Sequence, residues 1–169
     1  MSPKIKALKE LKKIIADIQT RGKKVALITG CFDVLHLGHI DLFRYAKRYA
    51  DFVIIGLESD ISIKLSKGES RPINKIVVRC DQLSEMESVN FIFKLRKSFD
   101  FNQKSIDKYH EYLYKKLHPD YVVTNSLADS FWQKKQDRAK KFGIEFLRDV
   151  RPRINASSNI INKILEKEL

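Results

Sequence analysis

Hydrophobic positions fall along the chain in short clusters whose spacing alternates between two periods. Ile5, Leu8, Leu11, Ile14, Ile15 and Ile18 recur at three- and four-residue steps with lysines between them. That pattern predicts an amphipathic helix over residues 1–22, ended by Arg21-Gly22. Val25–Ile28 is an unbroken apolar run between Lys24 and Gly30, the pattern of a strand buried on both faces. A helix is expected from about Gly38 to Tyr49, a second strand at Phe52–Ile55, a helix carrying Ile76, Cys80, Leu83 and Met86, and a third strand over Val89–Phe93. Ile106, Tyr109, Leu113 and Leu117 mark a further helix, which Pro119 stops. Strands at Tyr121–Thr124 and Ile144–Leu147 flank a helix expected to open on a Ser130/Gln133 capping box and to close at Phe142-Gly143. A last helix is expected from Ser157 to Glu168. Strands that alternate with helices in this way predict an α/β fold, a five-stranded parallel sheet with helices on both faces in a single domain over 1–169. Ligands of such sheets bind beyond the C-terminal strand ends, where strand order reverses. The segments to inspect are therefore 29–39, 57–79 and 148–159.

The first segment reads Thr29-Gly30-Cys31-Phe32-Asp33-Val34-Leu35-His36-Leu37-Gly38-His39 and holds two of the four histidines of the chain. A helix starting near Leu37 would project both imidazoles from its first turn, beside the free N–H groups and partial positive charge that suit phosphate. Gly30 would let the backbone approach a ligand, and Gly38 would let a nucleotide lie against the helix. The residue types also allow a metal pair, or a helix start without a ligand, and Asp33 can cap the following turn. In the second segment Lys64, Lys67, Arg71 and Arg79 bring cations to the strand edge, either as a phosphate-binding cluster or as a solvated basic loop. The third, RDVRPRINASSN, places Arg151 and Arg153 beside Asn155, Ser157 and Ser158, which can cap the last helix or hold a phosphate there.

The run G-x-F-D-x-x-H-x-G-H, carried by Gly30, Phe32, Asp33, His36, Gly38 and His39, resembles the signature of the HxGH nucleotidyltransferases, the cytidylyltransferase-like superfamily. The run S-D-x-S-x-K-x-x-K-G-x-S-R-P-x-N, from Ser59 to Asn74, resembles the heptose 1-phosphate adenylyltransferase domains of ADP-heptose synthases within it. Glycerol-3-phosphate cytidylyltransferases are similar in the HxGH region and carry an Arg like Arg79. The third segment is similar to the family's R-x-x-G-x-S-T-T/S-S-T motif at Arg151, Ser157 and Ser158, but Ala156 stands where the family usually has Ser. After the fourth strand, Thr124-Asn125-Ser126-Leu127-Ala128-Asp129 lacks the Lys of the branch's K-G-x-D.

The resemblance covers residues 5–168 and implies a Rossmann-like fold. It also implies nucleotidyl transfer from ATP or CTP, with Mg²⁺ carried on the nucleotide phosphates. On that reading His36, His39 and Lys64 are catalytic, and Gly30, Cys31, Phe32, Asp33, Gly38, Arg79, Arg151, Ser157 and Ser158 bind nucleotide. Lys67 and Arg71 bind the phosphorylated acceptor, no protein metal site is expected, and the N-terminal helix with the helix around 105–117 supports a homodimer. A phosphate monoester is already mostly a dianion at neutral pH, so the acceptor needs no general base. Fixed donors suffice to position two polyanions and to stabilise the charge that builds between them.

Composition narrows the partners without choosing among them. The 169 residues carry 33 Lys and Arg against 21 Asp and Glu, a net charge of +12 that attracts phosphate in any form. A nucleic-acid-binding module, or a nucleotide binder without turnover, is the competing class, although Tyr109 and Leu113 read as helix core and no RNA-binding motif is present. Apolar runs are too short for a membrane span, and MSPKIKALKE lacks the apolar core of a signal peptide. Cys31 and Cys80 are the only cysteines, which excludes a disulfide framework and fits a reducing cytoplasm.

Overall fold

The computed structural model of the chain describes residues 2–95, 103–152 and 157–166. Five strands, β1 (Val25–Gly30), β2 (Phe52–Leu57), β3 (Phe91–Lys94), β4 (Tyr121–Asn125) and β5 (Glu145–Asp149), form one sheet in the order β3-β2-β1-β4-β5. Every pairing is parallel. The chain starts at the centre, winds outward through β2 and β3, then crosses to the other side of β1 with β4. The order therefore reverses between β1 and β4, and the crevice beyond their C-terminal ends is where such a sheet receives a ligand.

Alternation along the strands divides the apolar residues between two layers. Ala26 and Ile28 of β1 and Val53, Ile55 and Leu57 of β2 face a core closed by Leu42, Phe43 and Ala46 of α2 (Leu37–Lys47) and by Cys80 and Leu83 of α4 (Ile76–Ser84). Val25, Leu27 and Ile54 face the opposite core, closed by α1 (Leu8–Thr20), α5 (Gln103–Leu117) and α6 (Trp132–Lys141) through Leu11, Ile15, Leu113, Tyr114 and Ala139. Each fully buried Leu or Ile contributes roughly 1.5–3 kcal/mol. Two such layers explain why the strands are apolar on both faces and why the helices are amphipathic. A last helix, α7, spans Ser157–Leu165.

The structure departs from the sequence expectation in three places. Ile5 does not join α1; it bridges Ile92 in parallel fashion, with Lys6 N and Ile92 N exchanging hydrogen bonds with Ile92 O and Lys4 O. Residues 60–67 form a helix, α3 (Asp60–Lys67), where a basic loop was one reading. Its apolar residues, Ile61, Ile63 and Leu65, sit two apart like those of a strand, but only Ile63 is buried. The helix starts because Ser59 Oγ accepts from Ser62 N, with Asp60 in the first turn. Third, α6 has no Ser130/Gln133 capping box. Its N-cap is Phe131, and Asp129 organises the approach by accepting from Phe131 N and, through its carbonyl, from Trp132 N.

Candidate active site

A cavity of about 510 Å³ opens at the β1/β4 reversal. Thr29 and Gly30 end β1 on its floor, and Thr124 and Asn125 end β4 beside them. Cys31, Phe32, Asp33 and His39 form one wall, Glu58, Ser62 and Lys67 a second, and the face formed by α5 and the segment leading into α6 a third. The cavity is where topology predicts a ligand, and its lining mixes charged and polar side chains with apolar ones such as Phe32, Leu42, Leu95, Ile106 and Phe131.

The turn after β1 is shaped by Phe32. Its φ of 47° lies in the left-handed region that side chains rarely adopt. A Cβ on Gly30 would lie 3.0 Å from the Phe32 ring, so this glycine makes room for that ring as well as lining the cavity. Phe32 packs edge-on against His39 at 5.1 Å between centroids. His36 is the N-cap residue of α2, and Gly38 and His39 lie in its first turn. The two imidazoles stack at 3.9 Å with 26° between planes, and both are buried. Of the pair, His39 lines the cavity. Cys31 also lines it, and burial pushes its thiol up, so the sulfur is a neutral group and not a thiolate nucleophile.

Asp33 and Arg79 hold the walls together. Asp33 is 1% exposed and accepts from Arg71 Nε (2.6 Å), Ile73 N (3.0 Å) and Asn74 N (2.8 Å). Burial alone would raise its pKa, but these donors and the Arg71 charge hold it below the usual carboxylate value. Arg79 is 0% exposed. Its guanidinium donates to Cys31 O (2.6 Å), Glu58 O (2.9 Å), Asn74 O (2.9 Å) and Asp60 Oδ1 (2.6 Å). The expectation that Arg79 and Arg71 offer charge to a ligand meets a different geometry. Both are turned into the protein, where they fix the backbone on which Cys31, Phe32 and Glu58 are presented.

The other predicted cations divide in the same way. Lys67 lines the cavity. Lys64, one turn before it in α3, is half exposed and pairs with Glu69 instead of lining the cavity. Arg151 forks onto Asp149 (2.8 and 2.9 Å), donates to Asp41 O and lies over Tyr45, so its charge is spent between β5 and α2. Ser157 opens α7; its side chain and that of Ser158, with Arg153, Asn155 and Ala156, lie outside what is described.

Sequence reasoning missed the α5–α6 wall. Lys135 Nζ pairs with Asp129 at 2.6 Å and reaches Thr29 O at 3.3 Å, bringing an ammonium to the end of β1. Asp129 also accepts from Thr124 Oγ1 at 2.8 Å, and against the cost of burial the Lys135 charge holds its carboxyl ionised. Arg138 pairs with Asp107 at 2.8 Å, and His110 stands between the helices at the cavity. Lys135 and Arg138 share a helix face at i and i+3, a signal the sequence carries but masks among the helix's other basic residues, Lys134, Lys140 and Lys141. Among the described residues no group of three or more His, Cys, Asp or Glu is arranged to hold a metal ion, and no helix is long and apolar enough to cross a membrane.

Comparison with known proteins decides what this geometry belongs to. The family model described as cytidylyltransferase-like matches residues 27–164. The chain is a member of the cytidylyltransferase-like family. It is 34% identical over 151 residues to the bifunctional protein HldE of Campylobacter fetus, covering 87% of this chain and 29% of that protein. To HldE of Aliarcobacter butzleri it is 43% identical over 88 residues, 52% of this chain and 18% of that protein. The chain thus spans under a third of the length of these curated relatives. A lipopolysaccharide core biosynthesis protein from Thermoplasma volcanium shares the fold with a TM-score of 0.59 at 20% identity, covering 78% of this chain and 100% of that one. Pantoate-beta-alanine ligase from Francisella tularensis shares it with a TM-score of 0.65 at 15% identity, covering 96% of this chain and 77% of that one. The predicted Rossmann-like parallel fold and the predicted family are both borne out.

Proposed function

We propose that this cytidylyltransferase-like chain transfers AMP from ATP to a heptose 1-phosphate and releases pyrophosphate. The observation that carries the reading is the stacked His36–His39 pair at the start of α2, with His39 facing a cavity at the strand-order reversal. The likeness to HldE proteins supports ATP and a heptose phosphate over CTP and glycerol 3-phosphate.

On this reading the acceptor phosphate oxygen attacks the α-phosphorus in line, a P–O bond forms, and the bond to the bridging oxygen of pyrophosphate breaks. His39 donates a hydrogen bond to a phosphate oxygen on which charge builds, and His36, stacked on it, fixes the ring plane or donates in turn. The backbone around Cys31 and Phe32, set by Arg79 and Asp33, cradles the polyphosphate. Lys67 meets the acceptor side, while Lys64 reaches a phosphate only by leaving Glu69. Ser157 and Ser158 are assigned to the leaving pyrophosphate. Mg²⁺ on the nucleotide would neutralise phosphate charge. The cavity carboxylates fit a nucleotide-borne ion and not a protein cage. Asp33 and Asp129 are engaged by cations and backbone donors, and Glu58 accepts from Ser62 Oγ at 2.6 Å. A homodimer is part of the same proposal, on the resemblance alone.

The test is a pyrophosphate-release assay crossing ATP and CTP with heptose 1-phosphate and glycerol 3-phosphate. ATP with heptose 1-phosphate is the expected productive pair, and faster turnover of CTP with glycerol 3-phosphate refutes the assignment. His39→Ala should lower kcat by roughly 100- to 1,000-fold, the scale for removing one charge-stabilising donor, without altering the melting temperature by more than a few degrees. Unchanged turnover in that variant removes the histidine pair from the chemistry.

A further inference from the structure

The cavity reaches well beyond the histidine pair, to the wall formed by α5 and α6. Leu95 and Ile106 give it an apolar base. Above them stand His110, Lys135 and Arg138, two cations and one imidazole contributed by α5 and α6. His110 Nδ1 is shielded from solvent and meets no hydrogen-bond partner among the described residues. A buried polar atom left without a partner costs about 1–3 kcal/mol, so a hydroxyl entering the cavity from a ligand gains by completing it. The two cations are each held by one carboxylate, Lys135 by Asp129 and Arg138 by Asp107. They are therefore fixed in place rather than swinging in solvent, and Lys135 lies at the end of β1 where two polyanions must meet.

Resting on the nucleotidyl-transfer reading, we propose that His110 and Lys135 form the acceptor subsite, His110 hydrogen-bonding the hydroxyls of a phosphorylated sugar and Lys135 taking its phosphate. The chemistry of the wall favours this occupant. A nucleobase carries no charge and would leave the oriented Lys135 ammonium unused. A polyol phosphate uses both kinds of group, the imidazole as combined donor and acceptor for hydroxyls and the ammonium for the anion. Burial, with the Arg138 and Lys135 charges, holds the ring neutral and so preserves its acceptor nitrogen. The wall sets acceptor length as well. A three-carbon phosphate anchored at Lys135 would have fewer hydroxyls to offer the imidazole than a seven-carbon one.

Calorimetry tests the subsite directly, with heptose 1-phosphate titrated into protein saturated with a non-hydrolysable ATP analogue and Mg²⁺. His110→Ala should weaken heptose 1-phosphate about tenfold and leave the ATP-analogue Kd within twofold. His110→Gln, which keeps a donor and an acceptor, should recover part of the loss. Lys135→Met should weaken heptose 1-phosphate and glycerol 3-phosphate alike, whereas His110→Ala should weaken the longer acceptor selectively. A merely structural role would lower nucleotide affinity too. Equal heptose 1-phosphate affinity in wild type and His110→Ala overturns the proposal, and so does wild type that binds no sugar phosphate. If the ATP analogue still binds and pyrophosphate is released with another acceptor, the subsite alone fails. If neither occurs, the transfer reading fails with it.

Discussion

His110 makes a stability prediction separable from any activity. In the folded chain its pKa is pushed down to about 3, by burial first and then by the charges of Arg138 and Lys135, with Asp107 and Asp129 opposing weakly. An unfolded histidine titrates near 6.5. Between these values the unfolded chain binds a proton that the folded chain refuses, so folding stability falls as pH drops below about 6.5. The sign is that of a base with a depressed pKa: its full contribution is present above the unfolded value and is lost on acidification. Integrating the linkage from pH 7.5 to 5 gives about 2 kcal/mol from this one ring. The assay is urea unfolding of wild type and His110→Gln at pH 7.5, 6.5, 5.5 and 5. The other three histidines and all the carboxylates are common to both proteins, so the difference between them isolates His110. The variant's relative stability should rise by about 2 kcal/mol across the series, with nearly all of the change below pH 6.5. Parallel curves would mean that the ring protonates in the folded state as readily as in water, and the account of its surroundings would fail.

Two further substitutions probe the frame of the site. Arg79→Leu leaves Asp60 and three carbonyls without their donor, and should cost about 3–5 kcal/mol in chemical denaturation, the scale for removing one partner of a buried ionic network. A loss below 1 kcal/mol would show that water replaces the guanidinium freely. Gly30→Ala places a methyl 3.0 Å from the Phe32 ring and should cost about 1–3 kcal/mol while lowering nucleotide affinity, since Phe32 in turn supports His39. Unchanged stability and calorimetric affinity would show that the ring yields without consequence.

Much of the fold was legible because burial on two faces leaves a plain trace. Val25–Ile28 and Phe52–Ile55 read as strands since nothing in them faces water, and Leu11, Ile15 and Ile18 recur as a helix must when one side packs. α3 was hidden because the side of it that packs is a single residue, Ile63, so the apolar period belonged to its exposed neighbours. In the site, the histidine turn was legible from local spacing. What spacing cannot carry is the direction of a long side chain. Arg71 and Arg79 have the same charge as Lys67, but only the fold shows that they face inward onto Asp33 and Asp60 while Lys67 faces the cavity. Lys135 and His110 lie 106 and 81 positions from Thr29, and no local motif joins them to it.

The four contacts of Arg79 tie together stretches that are separate in the chain: the turn at Cys31, the exit of β2 at Glu58, the first turn of α3 at Asp60 and the approach to α4 at Asn74. With the bonds of Asp33 to Arg71, Ile73 and Asn74 they behave as one casting, riveted at two points. Anyone wishing to retarget this scaffold by exchanging segments would have to move 31–33 and 58–79 as a set, because a foreign piece arriving alone would meet rivets drilled for its predecessor. The opposite bank, contributed by α5 and α6, is fastened by pairs of its own, Asp129 with Lys135 and Asp107 with Arg138, and a segment exchanged there would have to carry both members of each pair.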